Sequence, residues 1–275
     1  AVLPHGHAAR GVPMGQDCVS PARHSAFSTP LEMMAFIAQL RELSGGKPVG
    51  FKLCIGQPTE FMALCKAMIE TGVTPDFIVI DGKEGGTGAA PLEFADHLGT
   101  PLREGLTFAH DCLVGAGLRD KIRLGASGRI ITAFDMARAM ALGADWCNSA
   151  RGFMFALGCI QSLSCHTDKC PTGVATQDPR RANALVVPDK AERVRRFHES
   201  TLEAMAELCA AAGVTHPADI SREQLMRRTM TGEVMSFAEV YPQLKPGALL
   251  DGIAGEKYMR LWAMADAGSF KPKAA

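Results

Sequence analysis

The feature that most constrains the fold is PDFIVID, residues 75–81, an apolar run without alternation. A strand with one face in water alternates apolar and polar residues. A continuous run predicts a strand covered on both faces, as in a parallel sheet wrapped by helices. From about residue 12 to 152 the chain repeats this rhythm, with short apolar runs at 14–20, 49–55, 76–81, 121–126 and 145–149 interleaved with helical patterns. TPLEMMAFIAQLRELSGG offers Thr29 as N-cap, Pro30 at the first helical position, Glu32 to complete a capping box, and glycines at its exit. PTEFMALCKAMIETG sets Phe61, Leu64, Cys65, Met68 and Ile69 on one face, and TAFDMARAMALGAD repeats the pattern with Thr132, Asp135 and Gly143. Such alternation implies right-handed βαβ units. Five units leave two α/β architectures open: a (β/α)8 TIM barrel, which needs eight strands to close, or an open doubly wound sheet.

The 275 residues suffice for one large domain or two small ones. Lysine and arginine balance aspartate and glutamate at 29 each, so no basic field recommends nucleic acid or an anionic membrane as partner. No apolar stretch reaches membrane-spanning length. Nine cysteines are too few, and odd in number, for a disulfide scaffold, which favours reduced thiols in a cytoplasmic compartment. The opening AVLPHGHAARG reads as that of a fragment or processed chain. The expected division is a partial barrel over 1–188 and a C-terminal helical extension over 189–275, whose first helix carries Lys190, Arg193, Arg195 and Arg196 on a basic face.

Chemistry in parallel α/β folds gathers at the carboxyl ends of the strands. Gly125, Ser127, Gly128 and Arg129 follow one run, and Ser149, Arg151 and Gly152 follow the next. Neighbouring glycine-rich turns before helix starts make a phosphate site, and the alternative is a pair of tight turns with surface arginines. The loop DGKEGGTGAAP carries Gly85, Gly86, Thr87 and Gly88, which let backbone lie against a planar ring or a carboxylate. It matches neither GxGxxG nor GxxxxGK[ST]. Lys52, inside VGFKLCIG, needs an anion: a carboxylate, a flavin edge, or an internal partner such as Asp81 or Asp17. His24 reads as a satisfied structural histidine. Cys159, Cys165 and Cys170 fall within a dozen residues, with a proline after the last. Their spacing fits no zinc ribbon, and the choice lies between an iron–sulfur cluster and three buried thiols.

Taken in order, VSP-x-x-H, the strand with Lys52, IDGKEGGTGAAP, the turn before Arg129 and LGC-x5-C-x4-CPTGVATQDP resemble the synthase domain of the glutamate synthase family, from about residue 12 to 180. The resemblance implies a (β/α)8 barrel with FMN at its mouth beside a 3Fe–4S cluster. It assigns Cys159, Cys165 and Cys170 as cluster ligands. The FMN phosphate would lie near Gly125, Ser127, Gly128, Arg129, Ser149, Arg151 and Gly152. Lys52, the catalytic candidate, and the 85–88 loop would face the isoalloxazine and a 2-oxoglutarate-like substrate. The implied reaction reduces 2-iminoglutarate to L-glutamate, with electrons from a ferredoxin or a donor subunit. The alternatives are the same cofactors acting on another imino acid, or a non-catalytic half-barrel. Two departures stand out. The five runs correspond to the family's strands four to eight, so self-association or a complementing N-terminal half is expected. No amidotransferase domain is present, so free ammonia or a partner would supply nitrogen.

Overall fold

The computed structural model describes residues 11–15, 21, 23–84 and 96–274. Four of the five apolar runs form strands: β1 (Gly50–Leu53), β2 (Phe77–Asp81), β3 (Arg123–Ser127) and β4 (Trp146–Asn148). The fifth run falls at 14–20, and its residues 16–20 lie outside the described ones. Helices alternate with the strands: α1 (Pro30–Leu43) before β1, α2 (Pro58–Thr71) and α3 (Leu102–Gly115) on either side of β2, and α4 (Ala133–Ala141) before β4. The strands are all parallel and lie in the order β1-β2-β3-β4. This order never reverses, so the described sheet has no switch point of the doubly wound kind. Successive crossovers of one hand then place every helix on one face, the winding of a (β/α) barrel. The described sheet remains open.

Burial fixes the two faces. Ile78 and Ile80 of β2 and Leu124 of β3 are fully buried against Met34 of α1, Phe61, Met62 and Met68 of α2, and Leu106 and Leu113 of α3. Side chains alternate along a strand, so the opposite face carries Lys52, Phe77, Val79, Asp81, Gly125, Ser127, Trp146 and Asn148. Gly125 lies inside β3, not in the turn after it. A Cβ there would come within 2.6 Å of the Trp146 indole, which itself meets Phe77 edge-on at 5.9 Å.

Local signals explain most helix boundaries. Thr29 and Glu32 form the expected capping box at α1, and Gly72 ends α2 at φ 68°. α3 starts at Pro101 without a cap from its own sequence; the Glu84 carboxylate accepts the Leu102 N–H instead, at 3.0 and 3.2 Å. After β4 come α5 (Arg151–Leu157), the short α6 (Pro179–Ala182) and α7 (Val187–Ala212). α7 lies across α4 and α5, burying Met205 and Cys209 against Ala133, Ala137 and Ala141. Its expected basic face is divided. Arg195 bonds Glu192 and Glu199, Arg196 bonds Glu192, and Lys190 and Arg193 turn toward Gly158. No helix among the described residues is long and apolar enough to cross a membrane.

The last segment is not only short helices. It includes a hairpin of β5 (Met226–Arg228) and β6 (Val234–Ser236), followed by α8 (Phe237–Val240) and α9 (Glu256–Met264). Each strand has three residues, too few for a period-2 pattern to declare itself in sequence. The segment shares the central core through Phe237, Ala248, Leu249, Ala265 and Ala267. Its polar anchor is Arg222, 6% exposed, which donates to the Tyr241 carbonyl at 2.5 Å and meets Asp111 at 3.4 Å. Tyr258 donates to the other Asp111 oxygen at 3.4 Å, and burial, then the Asp111 charge, push its hydroxyl well above the ordinary tyrosine value.

Asp135 caps α4, accepting the N–H groups of Thr132 at 3.0 Å and Ile131 at 3.2 Å. Burial would raise its carboxyl, but these donors, the Thr132 hydroxyl and the Arg138 charge outweigh it and hold the group below 3.8. Asp135→Ala is expected to cost about 1 kcal/mol in urea denaturation at neutral pH. A group lowered in the folded state stabilises fully above its unfolded value and loses that contribution as pH falls through the folded one. The gap between wild type and variant therefore narrows below pH 3.8, and a gap that widens there would contradict the assignment.

Candidate active site

The strand ends of β1 and β2 meet through an ion pair. Lys52 sits level with Val79, one step below Asp81 on the same face, and its ammonium reaches the Asp81 Oδ2. Of the partners weighed from sequence, the structure selects Asp81; Asp17 lies outside the described residues. The other Asp81 oxygen, Oδ1, is buried and accepts no hydrogen bond from the described residues. Backbone bonds stitch the loops around this pair: Gly82 N–H donates to the Ser127 carbonyl at 2.7 Å, Lys83 N–H to Thr100 at 3.0 Å, and Thr100 N–H to Ile55 at 2.9 Å. Cys54 follows Lys52 at the exit of β1 with its thiol 3.8 Å from the Thr100 carbonyl. Burial raises that thiol, the hydrogen bond to Thr100 opposes it, and the charges of Asp81 and Glu84 add to the rise against the smaller opposing effect of Lys52. The 85–88 loop, with Gly85, Gly86, Thr87 and Gly88, lies outside the described residues.

The proposed phosphate residues divide into two groups. Gly128 and Arg129 adopt φ of 141° and 47°. A Cβ on Gly128 would stand 3.1 Å from the Gly82 nitrogen, so this glycine permits close approach of two strand-end loops. The Arg129 guanidinium is paired with Asp96. Ser149 lies across from this turn and donates its hydroxyl to the Ile130 carbonyl at 2.8 Å, tying the ends of β3 and β4 together. The α5 start at Arg151 and Gly152 has no side-chain cap, so its first N–H groups suit an anion. Gly152 is small for a second reason: a Cβ would meet the Phe197 ring of α7 at 2.6 Å. The Ser149 hydroxyl and the space beside Gly152 are thus taken up within the fold, which leaves Arg151 and the first N–H groups of α5 for the expected phosphate. Gly125 is removed from that set, because it lies beneath Trp146 within the strand. His24 is exposed, stacks on Phe27 at 4.5 Å and accepts the Ala26 N–H at 3.1 Å, as a structural histidine does.

The cysteine loop is built around unusual backbone. Gln161, Leu163 and Asp168 all have positive φ, 56°, 54° and 62°. Three non-glycine residues in that region within eight positions store strain of the kind that collects at functional sites. The Asp168 backbone and side chain hold the return of the loop, accepting from the Thr176 hydroxyl at 2.7 Å and the Gln177 N–H at 2.6 Å. Cys170 is buried, and burial alone would raise its thiol. The Thr172 hydroxyl and the N–H groups of Ala175, Thr172 and Val174 outweigh that and bring it down to about 7. Such a nest of donors suits a thiolate ligand. Cys159 and Cys165 are partly exposed, and no disulfide joins the described cysteines. Among the described residues, no three Cys, His, Asp or Glu side chains converge closely enough to hold a metal ion. The donor chemistry thus suits a cluster, whereas the three sulfurs are not gathered in this conformation.

The family profile described as a conserved region in glutamate synthase matches residues 3–215, and the chain belongs to this family. It is 44% identical over 234 residues to the glutamate synthase large subunit-like protein YerD of Bacillus subtilis, covering 85% of this chain and 44% of that protein. The archaeal glutamate synthase (NADPH) of Methanocaldococcus jannaschii is 35% identical over 208 residues, 75% of this chain and 40% of its own length. The ferredoxin-dependent glutamate synthase 2 of Synechocystis is 35% identical over 168 residues, 60% of this chain and 10% of that protein. The chain thus spans less than half of each of these relatives. A flavocytochrome b2 structure aligns over 80% of this chain and 44% of its own, at 16% identity and a TM-score of 0.41.

Sequence reasoning gave Asp81 no functional role and passed over Glu84 and Asp96, the carboxylates that surround the expected cations. The signal was present as an acidic residue at the end of a buried strand, but which cation it meets is set by register. One measurement bears on the loop. In reduced, chelator-treated protein, thiolate absorbance should show an ionisation near pH 7 that disappears in Cys170→Ser. A titration without that step would remove the amide nest from the account.

Proposed function

We propose that the chain is the flavin-binding and iron–sulfur half of a glutamate synthase-class oxidoreductase, which reduces a 2-imino acid formed from a 2-oxo acid and ammonia. The observation that carries this reading is family membership over residues 3–215, combined with cation- and glycine-bearing turns at the carboxyl ends of four parallel strands. The sheet would be the second half of a (β/α)8 barrel. Its free edges at β1 and β4 would be completed by further chain or by a complementing partner.

In this reading Arg151 and the first N–H groups at the uncapped start of α5 hold the FMN phosphate, with Gly128 supplying close backbone approach. Bound there, FMN would supply the hydride chemistry. The inner sheet face around Val79 and Trp146 excludes water from one side. Lys52 keeps donors beyond the one given to Asp81 and can direct them at a substrate or flavin oxygen. Cys159, Cys165 and Cys170 would ligate the 3Fe–4S cluster once the loop draws them together, and the cluster would relay single electrons. The relatives' names divide between NADPH and ferredoxin, so kinship leaves the donor open. Nitrogen would come from free ammonia or from an amidotransferase partner.

Purified without oxygen, the protein should show flavin absorption bands and about three irons per chain. Cys165→Ser should lose the iron while keeping the helical circular dichroism. A wild-type preparation with neither iron nor acid-labile sulfide would end the cluster proposal. Lys52→Ala should lower turnover more than it lowers flavin affinity, and unchanged turnover would remove Lys52 from the chemistry.

A further inference from the structure

We infer that Trp146 is a positioning residue: it fixes the Asn148 carboxamide with its NH2 group toward the open inner face, where Asn148 binds the ribityl hydroxyls of FMN. This rests on the reading of the site as one for FMN, and deepens it by assigning the stretch between phosphate and ring.

Parallel pairing sets Asp81, Ser127 and Asn148 level with one another, each the last residue of its strand and on the inner face. One layer below stand Lys52, Val79, Gly125 and Trp146. The indole is held by packing. It covers Gly125, where a Cβ would come within 2.6 Å of it, and it meets Phe77 edge-on at 5.9 Å. Its single N–H donates to the Asn148 Oδ1 at 3.1 Å. An indole nitrogen donates and cannot accept, so it takes only the oxygen end of a carboxamide. The NH2 end of Asn148 is thereby turned away from the indole, on an exposed side chain with no other partner among the described residues. One strand over, the Ser127 hydroxyl also has no partner among the described residues.

These neutral groups lie between two charged ends. Lys52 and Asp81 stand on β1 and β2, whereas Arg151 and the first N–H groups of α5 follow β4. Neighbouring strands are about 4.8 Å apart, so a ligand with its phosphate at Arg151 and its ring toward Lys52 crosses the ends of β4 and β3 between them. In FMN that stretch is the ribityl chain, a polyol whose hydroxyls both donate and accept. The two N–H donors of Asn148 and the Ser127 hydroxyl match it, and they offer no counter-ion to a phosphate or a carboxylate. Ser149 does not compete, because its hydroxyl is given to the Ile130 carbonyl.

The test is fluorescence titration of the full protein, freed of cofactor, with FMN, riboflavin and lumiflavin. All three share the ring; riboflavin lacks the phosphate, and lumiflavin lacks the ribityl chain as well. Asn148→Ala should weaken FMN and riboflavin alike by about fivefold, the usual contribution of one neutral hydrogen bond, and leave lumiflavin unchanged. Trp146→Phe keeps a ring over Gly125 but removes the N–H, and should weaken the same two ligands while sparing lumiflavin. Should that variant fail to fold, Asn148→Ala, at an exposed side chain, carries the test. Arg151→Met should weaken FMN and spare riboflavin. Unmoved riboflavin affinity in Asn148→Ala, or an equal loss for lumiflavin, would overturn the assignment while leaving the flavin site in place. Unmoved affinities in Trp146→Phe would remove its positioning role. An FMN-to-riboflavin ratio unchanged in Arg151→Met would remove the phosphate end, and the crossing with it. Wild type that binds none of the three retires the flavin reading and this assignment together.

Discussion

The strand ends depend on the burial of Ile78 and Ile80 against α2 and α3. Because side chains alternate along β2, locking these two outward forces Phe77, Val79 and Asp81 onto the other face. A slip of one residue would bury Asp81 among leucines and expose two isoleucines, so register and site are specified by the same packing. Parallel pairing carries the constraint sideways, from Lys52 on β1 to Gly125 and Ser127 on β3 and Trp146 on β4. The helix face supplies cohesion, and the inner face is free to carry polar chemistry.

That division explains how the site can hold charge at modest cost. The Lys52–Asp81 and Arg129–Asp96 pairs sit at loop level, partly exposed, where ion pairs carry small desolvation penalties. Glu84 does two things at once: it caps α3 and adds negative charge beside Asp81. The capping ties the loop after β2 to the helix that buries Leu106 and Leu113, so local electrostatics and core packing are coupled through one side chain. The cysteine loop follows another rule. Its strained backbone and its amide nest around Cys170 form within the loop itself.

Much of this was legible in the sequence. Capping boxes at Thr29 and Thr132, the prolines at helix starts and the glycine after α2 are local devices that act through neighbouring residues, so the chain spells them out. Strands β2 and β3 announced themselves because their central residues are buried on both faces, which leaves an apolar run. Three things were not legible. The start of α3 is capped by Glu84 from eighteen residues away. The β5–β6 hairpin has strands too short to show a period. Gly125, which reads as a phosphate-turn glycine, is small because of Trp146, twenty-one positions later in the chain.

By itself the sequence determined the alternation of strands and helices, the helix boundaries with local caps and the family, because each follows from residue type and near spacing. The tertiary structure decided which charges meet. Lys52 presents a lone cation in sequence and a neutral pair in space. Parallel register, set by core packing many residues away, places Asp81 one step above it on the same face.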